Sequence, residues 1–334
     1  MTSLSPYTQI YTPDGIKNAF SVMEGELVYG GGGKLTRVSD VSYSVEEDAE
    51  IEFANGFVIE TSKDSDFIYQ RGNNIAYDIE RKGWICNPME TIAREMGKYN
   101  RFISEMPVAT EEVDSFTECD PYLLGLWLGD GSKSNASVAC SGADLEHVKS
   151  RIAKGGYEVG SVLKDKRADV YQVIIKNGFK TSLRRLGLLH NKAIPRDFIR
   201  YSVEDRVELI RGLVDSDGTI ESQRGRAIFT NTNKCIVDEL VGLLSSIGES
   251  ACCTKRICRG FGKECECYFV QWTPIMNPAH LPRKAERFRG RRVLCNRGIH
   301  DVRFFGSKSD KVKITTESGT LLVGRHLIKV RAGK

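Results

Sequence analysis

Two carboxylates at matched positions are the residues of this chain best placed to do chemistry. Asp130 closes the stretch Leu123-Leu124-Gly125-Leu126-Trp127-Leu128-Gly129-Asp130-Gly131, and Asp217 closes Ile210-Arg211-Gly212-Leu213-Val214-Asp215-Ser216-Asp217-Gly218. Each is an apolar run with a glycine at its third place and Asp-Gly at its end. The run predicts a buried helix, the internal glycine a close approach of another backbone, and the terminal glycine a helix C-cap. An anionic side chain at a helix C-terminus costs a few tenths to ~1 kcal/mol against the helix dipole. If the two helices pack side by side, their carboxylates also face each other, and such a pair shares a proton or holds a cation. A divalent metal with oxygen ligands resolves both problems, with backbone carbonyls near Gly129 and Ser216 as further donors. The bland reading is two core helices with ordinary caps; the recurrence of one nine-residue pattern argues against it.

Phosphodiester hydrolysis needs an activated water, charge stabilisation on phosphorus and help for the leaving oxygen, and divalent metals supply all three. The two stretches resemble the paired motifs of the LAGLIDADG homing endonucleases, of the type found inside inteins. Leu189-His190-Asn191-Lys192-Ala193-Ile194-Pro195 resembles the family's Lys-x-Ile-Pro block, and Asp120-Pro121-Tyr122 ahead of the first motif reads like an intein endonuclease opening. The resemblance covers residues 118–292. It implies a monomeric, site-specific endonuclease acting on double-stranded DNA at a long asymmetric target. It also implies Mg²⁺ or another divalent cation such as Mn²⁺, and a double-strand break with short 3′ overhangs. In that reading Asp130 and Asp217 are catalytic and metal-binding, each serving one scissile phosphate. Lys192 matches the family's lysine of the first half, and Lys284 is its looser counterpart in the second. Asp215, whose counterpart is Leu128, is expected to be structural.

The rest of the chain must position these groups. Its 334 residues are ample for two domains, and its 40% hydrophobic content is that of an ordinary soluble protein. No apolar run is long enough to span a membrane, and no basic flank followed by an apolar stretch marks a secretion signal, so an intracellular, cytoplasmic setting with access to DNA is expected. The ten cysteines read as reduced thiols. Cys252, Cys253, Cys258, Cys265 and Cys267 contain no Cys-x-x-Cys pair and are expected to be alternating strand residues rather than a zinc site. The net charge of +4 conceals an asymmetry: residues 1–120 hold 10 Lys and Arg against 22 Asp and Glu, and the remaining 214 hold 38 against 22. Only the second part reads as a phosphate-binding surface.

Residues 1–70 read as short strands with turns, marked by Thr12-Pro13-Asp14-Gly15, Gly30-Gly31-Gly32-Gly33 and Asn55-Gly56. They resemble the N-terminal half of a Hint, or intein splicing, domain. Ser3, Thr8, Ile10, Thr12 and Gly15 fall at the spacing of its opening block, and residues 56–67 resemble its second. Splicing in that family needs a first-residue nucleophile, a block histidine, a penultimate histidine and a terminal asparagine. Here Ser3 follows two residues, Asp64 stands for the histidine after Thr61, and Lys329 and Val330 sit where His-Asn would be. The expectation is a Hint-like scaffold that has lost splicing; an unrelated β-rich module is the alternative. Residues 91–99 have a helical rhythm, and 106–116 read as an acidic linker.

Residues 118–295 carry an internal repeat. After the first motif come strand candidates at 136–141 and 170–176 with a helix at 144–153 between them, then a helix at 181–189. After the second motif helix, 203–215, come strands at 226–230, 251–259 and 267–273, with a helix at 234–247. Two such halves about a pseudo-twofold axis place both motif helices at the seam and two curved sheets astride a duplex, where antiparallel ribbons read the major groove. The expected fold class is therefore α+β: a pseudo-twofold domain of two αββαββα-like halves, 118–295, inserted in a mostly-β Hint-like domain formed by 1–117, with its linker, and 296–334. Candidate DNA contacts are Lys133, Asn135, Lys164 and Arg167 in the first half and Arg224, Arg226, Asn231, Asn233, Lys255 and Arg256 in the second. The basic segment 281–292 adds Arg283, Arg287 and Arg289 as a phosphate-contacting arm. Two rival functions remain: a self-splicing intein with endonuclease, and a non-cleaving DNA- or RNA-binding protein of the same fold, such as a maturase or regulator.

Overall fold

The computed structural model describes residues 1–72, 75–99, 101–107, 109–166, 168–260, 263–290 and 296–333. The chain divides into two compact units. One comprises Met1–Glu111, Ser245–Ser250 and Leu294–Lys334; the other comprises Glu112–Leu244 and Ala251–Val293.

The first unit is mostly β, with its strands in one eleven-stranded sheet. Gln9–Thr12 turns through Pro13-Asp14 into Gly15–Asn18 and also pairs with Thr320–Val323, so segments far apart in sequence share the sheet. Ile328–Arg331 joins Asp66–Arg71 through Val330 and Phe67. Alternation along these strands turns Ile10, Val28, Ile51, Phe53, Phe67 and Val330 into a common core. The longest feature is a ribbon of Leu35–Phe53 against Asn296–Thr316. Acids on the first strand meet bases on the second: Asp48 with Lys311 at 2.6 Å, Glu46 with Lys313 at 2.5 Å, and Glu50 and Glu52 with Arg303 at 3.1 and 3.0 Å. Hydrogen bonds from Lys311, Ser309 and Ser307 hold the Asp48 carboxyl down at about 2. Part of the basic charge that the sequence assigned to a phosphate surface is thus neutralised inside this sheet.

At the splicing-like positions, the Ser3 N–H donates to Ser65 Oγ at 2.9 Å, and Thr61 Oγ1 donates to the Ser3 carbonyl at 2.5 Å. All three residues are buried. Asp64, expected at the histidine position, is exposed. Lys329 pairs with Glu105 at 2.7 Å, and Val330 is buried.

The second unit repeats one element order. In the first half, Pro121–Asp130 leads to Ser137–Ser141, Leu145–Lys154, Val159–Lys164, Val170–Ile175 and Phe179–Arg185. In the second, Val203–Asp217 leads to Gly218–Ile220, Ala227–Asn231, Lys234–Ser245, Cys252–Gly260, Lys263–Trp272 and Pro282–Ala285. Both sheets place the last strand of the half between the two that precede it in sequence: Ser137–Ser141 beside Val170–Ile175 beside Val159–Lys164, and Ala227–Asn231 beside Lys263–Trp272 beside Cys252–Gly260. Gly131 bridges Val138 where the second half has a full strand, Gly218–Ile220. These are the αββαββα-like halves expected, and the fold is α+β. Several details differ from the sequence reading: the second motif helix runs on to Asp217, and Gly218–Ile220 is a strand. Val159–Lys164 is an additional strand, the helix expected at 181–189 runs from Phe179 to Arg185, and the last strand of the second half begins at Lys263.

Both motif helices start on side-chain caps. Asp120 Oδ1 accepts from the Leu123 N–H at 2.8 Å with Pro121 following, and Ser202 Oγ accepts from the Asp205 N–H at 3.1 Å. Tyr122, Leu123, Leu124, Leu126, Trp127 and Leu128 are all at most 2% exposed, so the first motif helix is covered on every side. Among the described residues no helix is long and apolar enough to cross a membrane.

Candidate acid pair and nucleic-acid interface

The seam between the motif helices is made by glycine. A Cβ added at Gly125 would lie 2.2 Å from the Leu209 carbonyl oxygen, and one at Gly212 would lie 2.1 Å from the Tyr122 carbonyl oxygen. Backbone packs on backbone, reciprocally, as a local two-fold relationship requires. The terminal glycines act differently from the left-handed caps expected of them. Gly131 (φ −79°, ψ 154°) and Gly218 (φ −105°, ψ 168°) are extended, because each helix passes straight into sheet pairing. What demands glycine there is space: a Cβ would meet Trp127 O at 2.2 Å from Gly131 and Val214 Cα at 2.6 Å from Gly218.

This seam brings the two acids together. A Cβ at Gly129 would lie 3.3 Å from Asp217 Oδ2. Asp130 is open to solvent at the helix end, yet protein atoms crowd it; desolvation first, and then the Asp217 charge, push its carboxyl up to about 6. Desolvation also raises Asp217, opposed by a hydrogen bond from Asn231 Nδ2 to Asp217 Oδ2 at 2.8 Å. Lys192 and Lys284 lie near, and desolvation lowers each to about 8 against the pull of nearby acids. Their ammonium groups do not bind the carboxylates. Lys192 Nζ donates to the Gly129 carbonyl at 2.9 Å and lies 5.1 Å from the Trp127 ring centroid. Lys284 Nζ donates to the carbonyls of Val214 at 2.7 Å, Asp215 at 2.8 Å and Ser216 at 3.4 Å. The carbonyls of Gly129 and Ser216 therefore already accept lysine protons. The two carboxylates are a hard-oxygen set that repels itself, which suits a divalent cation.

A second set of polar groups holds the basic segment in place and, apart from Asp215, escaped the sequence reading. Asp215 Oδ2 accepts from the Tyr122 hydroxyl at 3.0 Å, the His280 N–H at 2.8 Å and the Leu281 N–H at 3.0 Å. Glu208 takes His280 Nε2 at 2.9 Å, Arg151 at 2.7 Å and Arg211 at 2.7 Å. Asp215 is structural, as its unmatched counterpart Leu128 suggested. Nothing in the local pattern marks Glu208, and the only signal for His280 is its place shortly before Lys284.

The candidate DNA contacts sort into groups. Asn231 and Asn233 sit at the acid pair: Asn231 orients Asp217, and Asn233 Nδ2 donates to the Lys192 carbonyl at 2.8 Å. Arg226, Arg283, Lys255 and Lys164 are ion-paired with Glu221, Asp144, Glu266 and Asp169. Asn135 supplies its carbonyl to Trp127 Nε1 at 2.8 Å, while the Lys133 side chain is exposed. Arg256 is exposed and lies 5.1 Å from the Phe269 ring. Arg224, Arg226 and Arg289 line a groove of about 340 Å³, and Arg224 and Arg287 line an adjoining one of about 410 Å³. Arg167, Arg291 and Arg292 lie outside the described residues.

Residues 204–294 match the family model described as a LAGLIDADG-like domain. A replicative DNA helicase DnaB of Mycobacterium intracellulare is 33% identical over 128 residues, which is 38% of this chain and 19% of that protein; the chain spans about a fifth of this curated relative. A solved structure of mesophilic variants of the homing endonuclease I-DmoI is 16% identical with a TM-score of 0.35, covering 51% of this chain and 95% of the other. The solved gp41-1 intein is 28% identical with a TM-score of 0.20, covering 21% and 55%.

Proposed function

We propose that this chain is a site-specific DNA endonuclease of a mobile element, cutting both strands of a long asymmetric target as a monomer and leaving short 3′ overhangs. The observation that carries the reading is the meeting of Asp130 and Asp217 at one glycine seam, with Lys192 and Lys284 beside them. Asp130 and Asp217 would hold a divalent cation, Mg²⁺ or Mn²⁺. When bound, the cation polarises the phosphodiester and activates water. The chain's own residues do the rest. Asn231 fixes the Asp217 carboxylate in one orientation, and Lys192 presents a positive charge to the developing phosphorane oxygens. Arg224, Arg256, Arg287 and Arg289 would hold the flanking backbone.

Splicing is not part of this proposal, because Lys329 is ion-paired and Val330 is a buried strand residue. A second reading, a non-cleaving nucleic-acid-binding protein of the same fold, is favoured by one observation: Lys284 is 4% exposed and caps helix carbonyls. Incubation with Mg²⁺ and a supercoiled plasmid carrying the DNA that flanks this gene separates the two. Linear product supports the endonuclease; tight binding with intact plasmid supports the second reading.

A further inference from the structure

Three thiols meet on the Cys252–Gly260/Lys263–Trp272 hairpin and serve no part of the acid-pair chemistry. Cys258 stands directly opposite Cys265 in the strand register, and Cys267 follows two residues on, opposite Arg256. Cys265 Sγ and Cys267 Sγ are 3.7 Å apart. Cys267 also contacts Cys258: hydrogen bonding with Cys258, then desolvation and bonding with Cys265, push its thiol up to about 12. The cluster lies on the opposite side of the sheet from the core. Ala227 pairs with Trp272 and Phe229 with Val270, and these four are at most 2% exposed; the cysteines are one residue out of phase with them. Cys265 is exposed, Cys258 half-buried and Cys267 buried.

We propose that Cys258 and Cys265 form a reversible redox pair that staples the distal end of this hairpin, with Cys267 as a bystander. Strand register, rather than the present Cys265–Cys267 sulfur contact, selects the pair. Directly opposed antiparallel residues have Cα atoms about 4.5 or 5.5 Å apart, inside the usual 4.4–6.8 Å span of a disulfide. Neighbours two apart on one strand are about 6.7 Å apart, at its edge, and diagonal pairs are about 7–8 Å apart, beyond it. The oxidant is a small disulfide. The Cys265 thiolate, the more accessible of the two, attacks one sulfur of that disulfide, expels one small thiolate and forms a mixed disulfide. The Cys258 thiolate then attacks the Cys265 sulfur and expels the second. Two protein thiols lose two electrons and two protons, and the small disulfide becomes two thiols. Resting on the endonuclease reading, the staple would fix the strand that carries Arg256 and so couple thiol redox state to the grip on DNA.

Peptide mapping of the full chain tests the pair without any cleavage assay. The chain is incubated with oxidised glutathione, alkylated, and digested with trypsin without reductant. Trypsin cuts after Arg259 and Lys263, so Cys258 and Cys265 fall in separate peptides unless joined. The expected result is one linked pair, about 2 Da lighter than the sum of the free peptides, with Cys267 alkylated and the link lost on adding dithiothreitol. Cys258→Ser and Cys265→Ser each abolish the link, and Cys267→Ser keeps it. Full alkylation of all three thiols after oxidation, or a link through Cys267, overturns the proposal. If the link forms and the plasmid remains uncut, the redox pair stands and the endonuclease reading falls.

Discussion

Lys284 Nζ lies 2.7 Å from the carbonyl oxygen of Val214, so the ammonium closes the end of the same helix that presents Asp217. A buried cation on the last carbonyls of a helix is a charge-assisted cap, and its charge opposes the repulsion between the acids. Lys192 holds a single carbonyl, that of Gly129, at 2.9 Å. The two lysines are thus unequal in structure though parallel in position.

That inequality predicts different costs. Lys284→Met takes the ammonium from the buried carbonyls of Val214, which keeps the Gly218 N–H, and Asp215, and should lower stability by about 2–3 kcal/mol. Lys192→Met should cost under ~1 kcal/mol. Thermal melts of the two variants without metal check this; equal melting temperatures would remove the capping role.

The glycine seam makes a sharper stability prediction. Gly125→Ala and Gly212→Ala each force a Cβ to within 2.2 Å of the facing backbone, so the helices must separate. Each should destabilise by at least ~3 kcal/mol, through overpacking rather than helix propensity. Gly306→Ala, where an added Cβ meets nothing, should stay within ~0.5 kcal/mol. Urea denaturation of the three variants distinguishes seam from surface.

Asp130 sets a pH dependence whose sign is fixed. Its folded pKa, raised to about 6, exceeds the unfolded value near 4, so the folded state binds the proton more tightly. The metal-free protein therefore has this contribution in full below about pH 4 and loses it as pH rises through about 6. Because Asp130 is exposed, solvent screening keeps the loss under ~1 kcal/mol. Asp130→Asn removes the repulsion, so its melting temperature should exceed the wild type's at pH 7.5 and approach it at pH 4. Added Mg²⁺ should stabilise only the wild type, and more at pH 7.5 than at pH 5. A stabilisation by Asp130→Asn that is equal at both pH values would contradict the paired-acid account.

Much of the second unit is legible in sequence because its motifs are extreme. A helix covered on all sides leaves an unbroken apolar run, and a backbone contact leaves glycine at a fixed place. The Val159–Lys164 strand is not legible, since its residues are half-buried or exposed and show no clean alternation. Gly131 and Gly218 misled for a physical reason: an Asp-Gly helix end looks the same whether glycine supplies a left-handed turn or merely space. Asn231 and Asn233 read as surface contacts because only the register of Ala227–Asn231 aims Asn231 at Asp217, and only the bend after that strand brings Asn233 to the Lys192 carbonyl. The Leu35–Phe53 ribbon pairs with a strand far along the chain, and local patterning holds no trace of that partner.

The arginine grooves predict a salt effect. Arg224 and Arg289 line one groove, so the double substitution to alanine should weaken binding to all duplexes alike. The slope of log affinity against log salt should fall by about 0.9 per lost phosphate contact. Fluorescence anisotropy between low and moderate salt measures it; an unchanged slope places these arginines off the DNA.

The central claim is that Asp130 and Asp217 act together in cutting DNA. Strand-resolved cleavage of a duplex from the flanking locus, with Mg²⁺, tests it most directly in the wild type, Asp130→Asn and Asp217→Asn. The account predicts double-strand cutting by the wild type and a loss of at least ~100-fold in each variant, with duplex binding retained. Wild-type cutting rates in either variant would contradict it.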